Sequence, residues 1–306
     1  MNIYTELAHL KESVITIGSF DGLHLGHQYL IMEAQKIARL RKIPFFLVSF
    51  EPHPRLILKQ NNDFKLLQTW QEKLAHLDKL GLENLIALPF TIELSQKSAE
   101  EFILNDILKP LNPRIVVLGY DHKFGKDRQG SKDTFIALRD RLNLNLEIVQ
   151  LNEYIIKRTH VSSSIIRNHI QNGTIEQVKD LLGYEYSLEG KVILGKQLGR
   201  TLGYPTANIL PNDPNKLIPK NGVYKTRLFF NGKYYKAATS IGLNPTVEIL
   251  TQPRIESFIL DYSGDLYGEH VRLEFISFLR EEKKFDTLED LKYAMAADVA
   301  LVANSE

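Results

Sequence analysis

Up to about residue 183 the chain alternates short apolar, β-branched runs with longer segments of helical periodicity. The runs lie at 14–17, 45–50, 85–88, 115–118 and 146–149; the segments include TWQEKLAHLDKL (69–80) and AEEFILNDIL (99–108). Strands that recur between helices predict a parallel sheet with crossover helices. From residue 184 the pattern changes to strand, turn, strand. In YKTRLFF-NG-KYYKAATS (224–240), Asn231-Gly232 supplies the two positive-φ positions of a tight hairpin. ESFILDY-SGD-LYGEHVRLEFISFL (256–279) reads as a second hairpin. The stretch TLEDLKYAMAADVALVA (287–303) reads as a helix capped by Thr287, with Asp290 three residues on as the reciprocal partner. The pattern therefore predicts an α/β domain over 1–183 and a mainly antiparallel β domain with a terminal helix over 184–306, joined by LLGYEYSLEG (181–190).

Composition narrows the class. With 306 residues, 43% of them hydrophobic, there is material for two cores. Lys and Arg total 38 against 37 Asp and Glu, so no global field steers the chain to nucleic acid or an anionic membrane, and an anionic ligand must be gripped locally. The absence of cysteine excludes disulfides and thiolate metal sites and fits a reducing compartment. No apolar stretch has the length of a membrane span, and MNIYTELAHLKES lacks a basic region followed by an apolar run. The expectation is a cytoplasmic protein; self-association is not readable.

The densest chemistry lies in IGSFDGLHLGH (17–27). It falls between the first apolar run and the helical segment QYLIMEAQKIARL (28–40), the kind of strand-to-helix turn where open α/β sheets bind ligands. A helix start offers free N–H groups to a phosphate, glycines allow close approach, and His24 and His27 can both donate to phosphate oxygens. Farther on, Ser162, Ser163, Ser164 and Arg167 open another helical segment; taken alone, serine capping is the simpler account, and the phosphate site implied by His24 and His27 shifts the weight to phosphate binding. Pro52, His53 and Pro54 end the second strand and could wall a flat ring or merely form a turn.

GSFDGLHLGH resembles the G-x-F-D-G-x-H-x-G-H signature of the prokaryotic bifunctional riboflavin kinase/FAD synthetases, whose first domain is an H-x-G-H nucleotidyltransferase. SFEPHPR (49–55), GYDHKFGKDRQG (119–130) and VSSSIIR (161–167) resemble that family's further motifs, in its order. The resemblance implies a Rossmann-like nucleotidyltransferase domain. In it, His24, His27 and Arg167 are catalytic, and Gly18, Ser19, Phe20, Asp21, Gly22, Gly26 and the three serines bind nucleotide. Pro52, His53, Pro54, Asp121, Phe124 and Arg128 are implied to bind flavin. Ser19, His122 and Ser164 depart mildly from the family pattern, which has Asn, Phe and Thr there more often.

In the second half, GKQLGRTLGYPTANI (195–209) resembles the riboflavin kinase signature, and SIGLNPTV, IESFILDYSGDLYGE and FLREEKKFDTLEDL follow in family order. The resemblance implies an antiparallel β-barrel kinase domain. Gly195, Lys196, Gly199, Arg200, Thr201, Asn244 and Pro245 would bind nucleotide, with Asn244-Pro245-Thr246 as a structured turn. Thr206 and Asn208 would hold Mg²⁺, a sparse ligand set that suits an ion completed by ATP phosphates and waters. Glu256 would be the catalytic base, with Arg280, Lys284 and Phe285 near the flavin. A solvent-facing strand Glu and a Thr or Asx turn are the plain readings of the same residues.

The implied function is two transfers: riboflavin and ATP to FMN, then FMN and ATP to FAD and pyrophosphate. Two alternatives stay open. One is an adenylyltransferase whose β domain only senses flavin, against which Thr206, Asn208 and Glu256 stand. The other is an RNA-acting protein, which the near-zero net charge disfavours.

Overall fold

The computed structural model describes residues 1–5, 12–58, 64–120, 123–125, 129–156, 159–195, 203–242 and 253–304. The chain forms two compact units, Met1–Ser162 and Ser163–Glu306.

The first unit is built on a six-stranded sheet of order β1-β4-β3-β2-β5-β6: β1 (Asn2–Tyr4), β2 (Ser13–Ile17), β3 (Phe45–Glu51), β4 (Asn84–Pro89), β5 (Pro113–Leu118) and β6 (Glu147–Gln150). Every pairing is parallel, as the alternating pattern predicts. Helices cover both faces, so the central strands are apolar throughout, and all five residues of β2 are buried. Ile15, Ile17, Val48 and Val116 pack with Ile103, Ile107, Phe135 and Leu138 on one side. Val14, Leu47, Ile115 and Val117 pack with Leu30, Ile31, Ala34 and Leu77 on the other. The helices are α1 (Leu25–Arg41), α2 (Pro54–Leu58), α3 (Trp70–Lys79), α4 (Ile92–Gln96), α5 (Ala99–Phe102), α6 (Lys109–Leu111) and α7 (Lys132–Arg141), with a π-helical stretch, Ile103–Leu108, between α5 and α6. Strand order reverses on either side of β2, so the turns leaving β2 and β5 flank the sheet's switch point.

Helix α3 begins at a full capping box. The Thr69 hydroxyl accepts from the Glu72 N–H at 3.2 Å, and the Glu72 carboxylate accepts from the Thr69 N–H at 2.8 Å.

The first unit also holds a short antiparallel pair, β7 (Ile155–Ile156) and β8 (Thr159–His160). The second unit opens with α8 (Ser163–Asn172) and α9 (Ile175–Leu182), ahead of a closed antiparallel barrel, β9-β10-β13-β12-β11-β14. Its strands are β9 (Ser187–Ile193), β10 (Thr206–Pro211), β11 (Gly222–Phe230), β12 (Lys233–Gly242), β13 (Arg254–Ile259) and β14 (His270–Arg280). Helix α10 (Leu288–Ala303) follows. The Asn231-Gly232 hairpin forms as expected, with φ of 47° and 77° at the two positions and Phe230 opposite Lys233. The second expected hairpin does not form: β13 pairs with β10 and β12, whereas β14 pairs with β11 and β9. Adjacency in sequence gave way to barrel closure. The stretch 181–190 is ordered, since Gly183 ends α9 with φ of 80° and the buried Tyr186 donates its hydroxyl to the Leu217 carbonyl at 2.5 Å. Thr287 caps α10 by accepting from the Asp290 N–H at 3.1 Å, but its partner bond runs from hydroxyl to carboxylate, at 2.6 Å, and not from the backbone.

Helices α8 and α9 are bonded to the barrel. The Ile170 carbonyl accepts from the Lys220 N–H at 3.2 Å, and the Glu176 carboxylate accepts from the Phe278 N–H at 3.2 Å. A fragment of residues 184–306 loses both bonds and the apolar cover around them. It is expected to melt about 10 °C or more below a fragment of residues 163–306, as read by circular dichroism.

The first unit should also lose stability in acid. His76 on α3 accepts at Nδ1 from the Gln68 amide nitrogen at 3.1 Å; burial, with Lys79 adding to it, pushes its pKa down to about 4. The unfolded chain binds this proton below about pH 6.5 and the folded chain only below about 4, so its contribution is complete above 6.5 and drains away towards 4. Trp70 is the single tryptophan and starts the same helix, so its fluorescence reports this unit. The drop in urea midpoint between pH 7.5 and 4.5 should be smaller in His76→Gln than in the wild type.

Candidate functional site

Helix α1 starts inside the histidine motif, earlier than the sequence pattern suggests. His24 is its N-cap, with φ of −61° and ψ of 166°, and its Nδ1 accepts from the His27 N–H at 3.3 Å. In the neutral ring this places the proton on Nε2, leaving a donor on the far side. His27 lies in the first helical turn, and the two rings stack at 3.6 Å between centroids and 17° between planes. A Cβ on Gly26 would sit 3.2 Å from His24 Nδ1, so a side chain there would press the ring by a few tenths of an ångström. Gly22 has φ of 80°, and a Cβ there would come within 2.7 Å of Leu67.

Two residues expected to touch nucleotide are otherwise engaged. The ring of Phe20 is 1% exposed, packs in the core and meets His27 edge-on at 5.2 Å, so only its backbone is available. The buried Asp21 carboxylate accepts from the Leu67 N–H at 3.0 Å and from the Gln68 N–H at 3.3 Å, which anchors the turn.

The expected flavin residues divide likewise. Pro52 is exposed; Pro54, half-buried, opens α2. His53 is buried, accepts at Nδ1 from the Arg55 N–H at 3.1 Å and stacks on Phe64 at 5.0 Å, with the Arg55 guanidinium 4.3 Å from that ring. The Phe124 backbone bridges Gly130 in both directions, at 2.9 and 3.2 Å, and its buried ring packs against Phe135 and Phe102 in the core. Asp121, His122 and Arg128 lie outside the described residues.

The serine–arginine motif straddles the boundary between the units: Ser162 ends the first and Ser163 opens α8 in the second. Ser163 and Arg167 share one half-buried helical face, and Ser164 is exposed.

In the barrel, cross-strand register assembles the second group. Asn208 on β10 lies directly opposite Glu256 on β13, and Thr206 is two residues along on the same face. Burial raises the Glu256 carboxyl above its ordinary pKa, while the adjacent Arg254 pulls the other way. The Arg254 guanidinium forms an ion pair with Glu256 and donates from Nε to Asn208 Oδ1 at 2.7 Å. Gly195 faces the Asn208 amide so closely that a Cβ would come within 2.2 Å of its nitrogen. The Arg280 guanidinium is bound to the buried Asp298 of α10 at 2.9 and 2.7 Å, which ties the end of β14 to the terminal helix. Phe285 is half-buried, its ring 5.8 Å from that guanidinium. Lys196, Gly199, Arg200, Thr201, Asn244, Pro245 and Thr246 lie outside the described residues.

Sequence reasoning missed two cations at these sites. Lys73, on α3 and 3% exposed, donates to the Ser19 carbonyl at 2.8 Å. It is hidden in a helix pattern more than fifty positions from the motif it serves. Arg254 was legible only as the residue two before Glu256, which puts it on the same face of a strand.

Comparisons with known proteins bear on both groups. The FAD synthetase family model matches residues 6–165 and the riboflavin kinase family model residues 182–305. Bifunctional riboflavin kinase/FMN adenylyltransferases are similar along nearly the whole chain. The one from Listeria monocytogenes is 35% identical, covering 91% of this chain and 87% of its own; that of Bacillus subtilis is 32% identical, covering 94% and 90%; and that of Escherichia coli K12 is 30% identical, covering 93% and 90%. A crystal structure from Streptococcus pneumoniae, described as a macrolide-efflux protein, superposes with a TM-score of 0.87 at 29% identity, over 98% of this chain and 97% of that one. Among the described residues no helix is long and apolar enough to cross a membrane. A histidine-bearing turn at the switch point of a parallel sheet and a carboxylate set opposite an asparagine in a closed barrel thus occur in a chain that belongs to the bifunctional riboflavin kinase/FMN adenylyltransferase family.

Proposed function

We propose that the two activities of this family, phosphorylation of riboflavin by ATP and adenylylation of FMN by ATP, are carried by the two groups of residues described above. The domains would divide at residues 183 and 184, kinase chemistry following that boundary. The observation that supports the reading most is the register of Asn208 against Glu256, which sets a neutral oxygen donor and a basic carboxylate side by side on one barrel face.

In the barrel, Glu256 takes the proton of the terminal ribityl hydroxyl of riboflavin as that oxygen attacks the γ-phosphorus of ATP, and ADP leaves. A carboxyl raised by burial is better matched to this task than an exposed one. Thr206 and Asn208 fit Mg²⁺: both are hard, neutral oxygen donors, and Asn208 Oδ1 already accepts from a cationic group, the Arg254 guanidinium. When bound, the ion supplies charge neutralisation at the phosphates. Gly195, Lys196, Gly199, Arg200 and Thr201 would wrap the nucleotide, with Asn244 and Pro245 shaping its pocket and Phe285 bordering the flavin.

In the first unit the FMN phosphate attacks the α-phosphorus of a second ATP and pyrophosphate leaves. A phosphate nucleophile is ionised near neutral pH, so the site needs alignment and charge stabilisation more than a base. His24 donates from Nε2, with His27 stacked on it, and the backbone from Gly18 to Gly26 lines the phosphates. Ser162, Ser163, Ser164 and Arg167 would grip the outgoing pyrophosphate; Pro52, His53, Pro54, Asp121 and Arg128 would border the flavin. A chain without cysteine that draws on ATP fits the cytoplasm.

Two variants test the division. Glu256→Gln should lower FMN production from riboflavin by about two to four orders of magnitude while added FMN still becomes FAD. His24→Ala should do the reverse, with FAD formation down about 100-fold and FMN production unchanged. Chromatographic assay of FMN, FAD, ADP and pyrophosphate reads both. A variant that lowered both activities in a folded protein would overturn the assignment.

A further inference from the structure

The turn after β2 is joined to α3 and the residues just ahead of it by three bonds, two of one sense and one of the other. The Asp21 carboxylate accepts from the Leu67 and Gln68 N–H groups, immediately before the Thr69 cap of α3. From one turn into the helix, the Lys73 ammonium returns to the Ser19 carbonyl at 2.8 Å. Ser49 on β3 adds a longer hydroxyl bond to the same oxygen at 3.5 Å. Lys73 is almost fully buried, its ammonium 5.3 Å from the centre of the Trp70 ring, with Asp21 and Glu51 as the acidic groups whose charge it feels. A lysine held this deep is costly unless it fixes something, because its rotamers are frozen and its ammonium is largely stripped of water.

What it fixes is a peptide plane. In a trans peptide the C=O and the following N–H point in opposite directions. Drawing the Ser19 carbonyl towards α3 therefore turns the Phe20 N–H to the opposite side, and that N–H meets no protein acceptor among the described residues. Phe20 itself has φ of 48°, an unfavourable value for a large side chain that the surrounding bonds must hold in place. We propose that Lys73 is a positioning residue for adenylyl transfer: by clamping the Ser19–Phe20 peptide it aims the Phe20 N–H at a phosphate oxygen of the nucleotide, alongside the His24 donor. This rests on the reading of the β2–α1 turn as the adenylylation site. The ligand chemistry it implies is a triphosphate oxyanion bound partly by main-chain donors, for which the geometry of the amide matters more than the total charge of the site.

The test uses the full chain, with Trp70 fluorescence reporting the folding of the first unit and riboflavin kinase activity that of the second. Lys73→Met keeps length and apolar bulk but removes the donor; Lys73→Arg keeps donor and charge. In Lys73→Met, kcat for FMN adenylylation should fall about 30- to 100-fold, the scale of a misplaced catalytic group, while the KM for ATP changes less than about threefold and FMN production is unaltered. Lys73→Arg should restore kcat to within about fivefold of the wild type. A folded Lys73→Met protein with kcat within threefold of the wild type overturns the proposal. So does loss in both variants that follows a drop in the melting temperature reported by Trp70 and is recovered on cooling, since that marks a purely structural lysine. If Lys73→Met does not fold, Lys73→Arg decides alone: folded protein within fivefold supports the proposal, and folded protein down more than tenfold overturns it. His24→Ala separates this from the reading beneath it. If His24→Ala leaves FAD synthesis intact, the turn is not the site; if it abolishes synthesis while Lys73→Met does not, only the role of Lys73 fails.

Discussion

A backbone that offers N–H groups to a ligand must leave them without protein partners and yet not let them move. In the turn after β2 the amide in question is that of Phe20, and the turn is held from behind. β2 is fully buried, Asp21 takes two amides ahead of α3, and Lys73 returns a bond to Ser19. His24 adds a third restraint by capping α1 with one ring nitrogen. Each restraint is worth about 1 kcal/mol by itself, and together they leave the turn one conformation.

The barrel reaches preorganisation by another route. Its groups come from a continuous ladder and not from a turn, so their spacing is set by strand register, which cannot slip by one residue without turning every side chain to the opposite face. Asn208 and Glu256 are neighbours because β10 and β13 pair, and the closure of the barrel leaves neither strand a free edge. Arg254 sits between them, bridging both oxygens with one cation. The bridge keeps the Asn208 and Glu256 side chains in place.

The parts of this arrangement legible in the sequence are those written in local pattern. Alternating apolar runs gave the parallel sheet, and Asn231-Gly232 gave its hairpin, because both are decided within a few residues. The pairing of β13 and β14 was misjudged because barrel closure is decided by strands distant in sequence. The strand β1 escaped notice because three residues are too short to show a period. At the candidate sites, His24, Glu256 and Asn208 were marked by motif, as were Phe20, Asp21, Phe124 and Arg280, but the packing of the Phe20 and Phe124 rings in the core and the bonds of Asp21 and Arg280 to distant partners were not legible: a pattern does not say which way a residue points. Lys73 and Arg254 carry no motif and emerge only from contacts.

The central claim is that the two transfers are performed by separate groups of residues in one chain, with FMN as the shared intermediate. The most direct measurement mixes Glu256→Gln protein with His24→Ala protein and follows riboflavin, FMN and FAD in the presence of ATP and Mg²⁺. The account predicts that Glu256→Gln alone leaves riboflavin unconsumed, that His24→Ala alone stops at FMN, and that the mixture makes FAD. FAD formed from riboflavin by Glu256→Gln alone, or FMN that accumulates in the mixture without becoming FAD, would contradict it.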